Sequence, residues 1–555
     1  MNGARSTGES LGPRSGVIIG CIAEDFGRNL GIATMPSCTQ TLDVELERAA
    51  ADAPQRPFVR FMHREWTYAE VWRDAQRAAA ALHAAGVGAG DRVSLLLPNG
   101  IEFVVAWFAL ARLGAIAAPL NTEWRGATLA DALALVGSRV LIVDAALWPA
   151  LAGASVDWPG CVVVVGEMPA DAPADALPWS ALTTPSTAPP PPRRGHFADP
   201  ALLLYTSGSS GRAKAAQLSH RFVLRQAECA IAGLELRTDD VLYCPYPMFH
   251  LDGAVLTLAP ALLLRAVAAF GERFSAARYW DEVRALRATV FDFMGATLTL
   301  LWKQPPSPRD RDHRARLGWG VPLPPWSGEF EARFGCRLVE LYGATEIGAV
   351  LYTPQSEPAR PGRCGKPLGP FELALVDEDG FAVPPGVAGE LLVRGTEPSV
   401  LMDGYWADPA RTLHAMRDQW FHTGDLLRVD ADGWYSFVGR RKDIVRRRGE
   451  NIAAAEVEML LEQHPSVLEC AVLGVPSALS EEDLLACVVL RRGATLTPRV
   501  LADWCEGRMA RFMIPRYLRF MSALPKTPTD KVEKFRLSEL GLSGAWDRDA
   551  TDQAA

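Results

Sequence analysis

The chain has 555 residues, of which 49% are hydrophobic and 22% charged, and a net charge of −8. That length accommodates several domains with large cores, and the composition is that of a soluble globular protein. The acidic balance argues against a general nucleic-acid binder and leaves small anions to local basic patches.

Residues 1–40 read as a disordered N-terminal extension; the apolar run before Cys21 is too short for a signal sequence. Thr67 and Glu70 form a capping box that opens a helix running to about Ala85, stopped by Gly86. Strands are expected at 93–97, 116–120 and 140–143, with helices at 101–113 and 129–135 between them. This alternation predicts a layered α/β fold with parallel-rich sheets. Residues 166–200, with consecutive prolines from Pro189 to Pro192, read as a surface linker within one domain. No eighteen-residue apolar run occurs, so no transmembrane helix is expected. The ten cysteines contain no Cys-x-x-Cys pair, so reduced thiols in a cytoplasmic setting are expected rather than zinc or a redox pair.

An apolar strand, 202–205, runs into Thr206, Ser207, Gly208, Ser209, Ser210, Gly211, Arg212, Ala213 and Lys214. Glycines that let N–H groups curl inward, hydroxyl donors and two cations suit a polyphosphate. The same residues also make an ordinary polar turn. The spacing is not that of a Walker A loop, since only two residues separate the glycines and Ala215 follows Lys214.

Further on, His250 lies in PMFHLDG, where plain structure is the default, and 289–301 read as a buried strand passing into a helix. A strand from Leu338 ends in Tyr342-Gly343-Ala344-Thr345-Glu346. Glu346 there suits a hard cation such as Mg²⁺, or is a solvated turn residue. Thr423-Gly424-Asp425 places one carboxylate in a turn suited to two ribose hydroxyls. Past the charged joint from Gly439 to Asp443 the pattern becomes a small α+β unit of roughly a hundred residues. Its helices are expected at 456–463 and 498–513, its strands at 468–475 and 485–490. The unit ends near a loop from Pro525 to Lys534, whose two prolines suit it to presenting one lysine and whose lysines equally make an ordinary solvated cluster; the tail after 543 reads as disorder.

Taken in order, TSGSSGRAK, PMFHLDG, YGATE, WFHTGD, GRRKD, RRRGEN and PKTPTDK resemble the motifs of the adenylate-forming superfamily of acyl-CoA synthetases, adenylation domains and beetle luciferases. The resemblance covers about residues 41–540 and is greatest to the crotonobetaine/carnitine-CoA ligase-like branch. It implies a large ATP- and acyl-binding domain (41–439), a hinge at Lys442, a small mobile C-terminal domain (440–543) and a tail (544–555).

It also implies roles for single residues. Thr206 through Lys214 hold the ATP phosphates. Gly320, Val321, Pro322, Tyr342 and Gly343 lie on the adenine side, and Asp425 and Arg440 take the ribose. Thr345 bonds the α-phosphate, Glu346 binds the metal, and Lys531 bridges the attacking carboxylate and the α-phosphate. His250 gates an acyl pocket that includes Phe293, Met294, Gly295 and Ala344. Arg446, Arg447, Arg448 and Gly449 meet CoA. Ala213, Ala215, Ala454 and Asp530 depart from the family pattern without removing a reacting group.

The expected activity is an ATP-dependent acyl-CoA ligase using Mg²⁺, with CoA as cosubstrate. The alternatives are an enzyme that loads a carrier-protein thiol and a catalytically inactive relative. Small molecules, not nucleic acid, are the expected partners; oligomeric state is open, a homodimer being one expectation.

Overall fold

The computed structural model describes residues 40–62, 64–152, 160–185, 191–206, 214–447, 450–477, 482–506, 508–527 and 532–552. Local chemistry sets many element ends. The Thr67 hydroxyl accepts from the Glu70 N–H at 3.2 Å, and the Glu70 carboxylate accepts from the Thr67 N–H at 2.8 Å. This completed box opens the helix Tyr68–Ala84. The helix Ile101–Leu113 stops at Gly114, whose φ of 67° is a left-handed conformation that costs glycine little.

Two sheets organise the large domain. In the nine-stranded sheet the strands Pro57–Phe61, Val267–Phe270, Val241–Cys244, Val290–Met294, Leu317–Val321 and Arg337–Ala344 run parallel. In the eight-stranded sheet Pro200–Thr206 pairs in parallel with Ile116–Pro119 and antiparallel with Lys214–Ser219. The second of these strands was not anticipated from the sequence. One core joins the sheets: Phe58 and Val59 of the first and Val93, Leu95, Leu202 and Leu204 of the second belong to it. The helix Ile101–Leu113, apolar nearly all round, is buried within it, as such a helix must be. This is the layered α/β architecture expected.

A five-stranded antiparallel sheet follows, in which Trp420–Val429 pairs with both Gly389–Gly395 and Tyr435–Arg440. Lys442 lies in the single helical turn Arg441–Asp443, between the strands Tyr435–Arg440 and Ile444–Arg447. The segment 166–200 is less plain than expected: it carries the short strand Leu177–Pro178 and the helix Trp179–Thr183.

The C-terminal unit has its own core, built on the strands Val467–Pro476, Glu482–Leu490 and Tyr517–Met521. Two expectations need correction there. The helix predicted over 498–513 ends at Cys505, and only one further turn, Arg511–Met513, forms. Glu506 is already extended, and Ile514 precedes Pro515, which disfavours helix before it. The tail is not wholly disordered either. Trp546–Asp547 pairs with Tyr517–Met521 and leads into the helix Arg548–Asp552. Asp547 is gripped by Arg516 through two bonds of 3.1 Å each, a bidentate geometry that the sequence separation hides.

Candidate active site

Three strands of the nine-stranded sheet, together with Pro200–Thr206 of the other, end in the predicted site residues. Thr206 closes Pro200–Thr206, and its hydroxyl is buried without a hydrogen-bond partner among the described residues. Ser207, Gly208, Ser209, Ser210, Gly211, Arg212 and Ala213 lie outside the described residues, as do Arg448, Gly449, Asp530 and Lys531. Lys214 starts the return strand Lys214–Ser219.

Tyr342 and Glu346 lie on one strand–turn segment and enter two different polar clusters. Tyr342 is buried and its hydroxyl donates to Asp425 Oδ2 at 2.8 Å. The other Asp425 oxygen meets Arg440 Nε at 3.2 Å, because Asp425 and Arg440 face each other across the hairpin. The turn before Asp425 is built for this. Gly424 takes φ 69°, its N–H donates to Glu390, and the Asp425 N–H donates to Thr423 Oγ1 at 3.0 Å. Gly343 sits at a bulge in the strand between these clusters. A Cβ there would stand 2.3 Å from the Gly348 carbonyl oxygen, so the close backbone approach demands glycine.

In the second cluster Glu346 is buried, and its Oε1 accepts from the Tyr405 hydroxyl at 2.7 Å. Lys214 Nζ donates to the same hydroxyl at 2.9 Å and lies 3.5 Å from Glu346. Thr345, just before Glu346, is half-buried. Tyr405 was missed by the sequence reading; its only local signal is an aromatic pair after a glycine, Gly404-Tyr405-Trp406.

The residues expected on the acyl side fall in two places. Met294 pairs with Val321 at the ends of adjacent parallel strands, and Gly295 abuts Pro322 so closely that a Cβ would meet its ring at 2.8 Å. Gly320 packs under Phe293, whose carbonyl oxygen a Cβ would strike. Ala344 is half-buried against the main core. Phe293 does not join Met294. Successive strand residues face opposite ways, and Phe293 is fully buried with Phe291 in the core on the other face. Asp292 is also buried; it accepts from Cys244 Sγ at 3.4 Å, and burial pushes its carboxyl well above the usual range. His250 is half-buried, but its Nε2 is sealed from solvent without a partner among the described residues. Burial lowers its imidazole to about 4, which leaves it neutral near pH 7.

The arginine run divides. Arg446 pairs by its backbone with Asn451 in a hairpin. Arg447 is 1% exposed. It donates to Asp483 Oδ1 at 2.8 Å and to the carbonyls of Phe512 and Ile514 at 2.9 and 3.0 Å. It therefore braces the small domain instead of facing CoA, because its strand turns it inward onto Asp483.

The site fits a magnesium nucleotide in kind. A buried carboxylate beside a lysine suits a hard cation shared with phosphate oxygens. No group of three or more metal-ligating side chains occurs among the described residues.

The AMP-binding enzyme model matches residues 46–406 and the AMP-binding enzyme C-terminal domain model residues 456–531. The chain belongs to the AMP-binding enzyme family. Among curated members, the crotonobetaine/carnitine-CoA ligase of Salmonella typhimurium (strain LT2) is 30% identical over 485 residues, 85% of this chain and 93% of that protein. The medium/long-chain-fatty-acid-CoA ligase FadD6 of Mycobacterium tuberculosis is 33% identical over 532 residues, 92% and 87% of the two chains. Among solved structures of the family, the anthranilate CoA ligase AuaEII with anthranoyl-AMP superposes with a TM-score of 0.82 at 26% identity, covering 90% of this chain and 97% of that one. ATP-bound MatB of Rhodopseudomonas palustris gives 0.79 at 28%, covering 90% and 99%.

Proposed function

We propose that this AMP-binding enzyme is an ATP-dependent acyl-CoA ligase. A carboxylate attacks the α-phosphate of ATP and expels pyrophosphate; the CoA thiol then attacks the acyl adenylate and releases AMP. The observation that carries this reading is the pair of clusters reached from Tyr342 and Glu346. One holds a carboxylate, Asp425, with Tyr342 and Arg440; the other sets Lys214 beside Glu346.

In this reading Asp425 and Arg440 take the ribose, and Gly320, Val321, Pro322 and Gly343 shape the adenine side. Thr345 bonds the α-phosphate, while Thr206, Lys214 and the loop between them hold the phosphates. Both reactants of the first step are anions, so positioning and positive charge are the protein's main tasks. Mg²⁺ on Glu346 supplies part of that charge when bound. Met294, Gly295 and Ala344 line the acyl side, with neutral His250 next to it. The small domain turns about Lys442 between the two steps, and Arg446, Arg448 and Gly449 meet CoA.

The burial of Arg447 removes one CoA contact and keeps the carrier-protein reading in play. Incubation with ATP, Mg²⁺ and a panel of fatty, aromatic and betaine acids, with either CoA or a phosphopantetheinylated carrier, tests both. Mass-detected acyl-CoA and AMP are expected. Product on the carrier alone replaces the ligase reading with the loading one, and no pyrophosphate exchange with any acid refutes both. No helix among the described residues is long and apolar enough to cross a membrane. The eight described cysteines are free thiols, which supports a reducing, cytoplasmic setting. A homodimer is part of this proposal and is checked by analytical ultracentrifugation.

Asp425→Asn is expected to raise the KM for ATP roughly 10- to 100-fold, the weight of one or two hydrogen bonds to a charged acceptor. The KM for CoA should change little. An equal rise for both would remove Asp425 from the nucleotide site.

A further inference from the structure

We propose that Tyr405 is a positioning residue that aligns Lys214 and Glu346 with each other, so that nucleotide phosphate and Mg²⁺ bind as a coupled pair. The inference rests on the ligase reading and adds a residue to it. A phenol has one proton to give. Tyr405 gives it to Glu346 Oε1 at 2.7 Å, which leaves its oxygen to accept from Lys214 Nζ at 2.9 Å. The ammonium also sits 4.4 Å from the centre of the Tyr405 ring. The hydroxyl thus touches both members of an ion pair whose charged atoms lie 3.5 Å apart, so a ligand on either one bears on the other.

Tyr405 is anchored on both sides. Gly404 and Tyr405 pair with Gln217 and Ala216 on the strand that Lys214 begins. Asp403 and Trp406 extend that seam, donating to the carbonyls of Gln217 at 2.9 Å and Ala215 at 2.8 Å. On the other side the Met402 N–H donates to the Glu346 carbonyl at 2.9 Å. The Tyr405 N–H is fixed by Thr412 Oγ1 at 2.9 Å. Gly404 passes under that threonine at φ 147°, where a Cβ would lie 2.8 Å from its methyl group. One short segment therefore ties the phosphate-side lysine to the metal-side carboxylate. A displacement at one is felt at the other.

Tyr405→Phe tests this, since it keeps the ring and its packing and removes only the hydroxyl. Binding of a non-hydrolysable ATP analogue is measured by calorimetry for both proteins, in Mg²⁺ and in EDTA, with melting temperatures as the fold control. The wild type should bind more tightly in Mg²⁺. In Tyr405→Phe that Mg²⁺-dependent gain should shrink roughly three- to tenfold, the weight of about one hydrogen bond. Affinity in EDTA should stay within about twofold, and the melting temperature should fall by no more than a few degrees, the loss of about one buried hydrogen bond. An unchanged gain, or an equal loss in both conditions, overturns the coupling role while leaving the ligase reading intact. Absence of nucleotide binding by the wild type overturns that reading and this proposal with it.

Discussion

Lys531→Ala is expected to lower adenylate formation on the order of 10³-fold, comparable with the loss of a preorganised donor to developing charge. Thioester formation from a supplied acyl adenylate should stay near the wild-type rate. The asymmetry follows from the chemistry of the two steps. In the proposed first step an anionic carboxylate must approach an anionic phosphate, and a single ammonium reaching both would lower their repulsion. In the second, a thiol attacks a carbonyl that already carries AMP as its leaving group, and that need is gone. Acid-dependent ATP–pyrophosphate exchange reports the first step, and single-turnover thioester formation the second. Equal losses in both would show that Lys531 does not act in the first step alone.

Arg447→Ala is expected to destabilise the small domain by about 3–5 kcal/mol, as when one member of a buried ion pair is removed. Arg447 anchors a network. Asp483 accepts from it at 2.8 Å and from Arg516 at 2.9 Å, and Arg516 grips Asp547. The substitution also strips the carbonyls of Phe512 and Ile514 of a charged donor. Hydrogen exchange in peptides spanning 467–490 should accelerate, and activity at a permissive temperature should recover in part. Burial pushes the Asp483 carboxyl up, but hydrogen bonds from Ser477 and Arg516 and the charges of Arg447 and Arg516 outweigh it and hold the group below its ordinary value. Its stabilisation is therefore complete above about pH 4 and is lost as the pH falls through the depressed folded value. A variant that stays protected from exchange but shows a raised KM for CoA would restore Arg447 to the CoA site.

Short-range chemistry was legible in the sequence. The capping box at Thr67, the glycine stop at Gly86 and the alternation of strands with helices each depend on residues a few positions apart. The ordered motifs placed Tyr342, Glu346, Asp425 and Arg440 in one protein with one chemistry in view. Asp425 and Arg440 then proved to be cross-strand neighbours, a pairing that a hairpin register makes and a motif list does not state.

Tertiary structure alone decided the rest. Phe293 and Met294 are adjacent in the chain, but the pleat of their strand sends one into a core and leaves the other at the sheet's end. Arg447 reads as part of an exposed basic run until packing against Asp483, 36 residues away, buries it. Tyr405 meets Lys214 and Glu346 across 191 and 59 residues. Residue types and local spacing set which chemistry the chain carries. Which side chains touch is set by strand register and by the way sheets close over one another, and these depend on long-range burial that no short window of sequence contains.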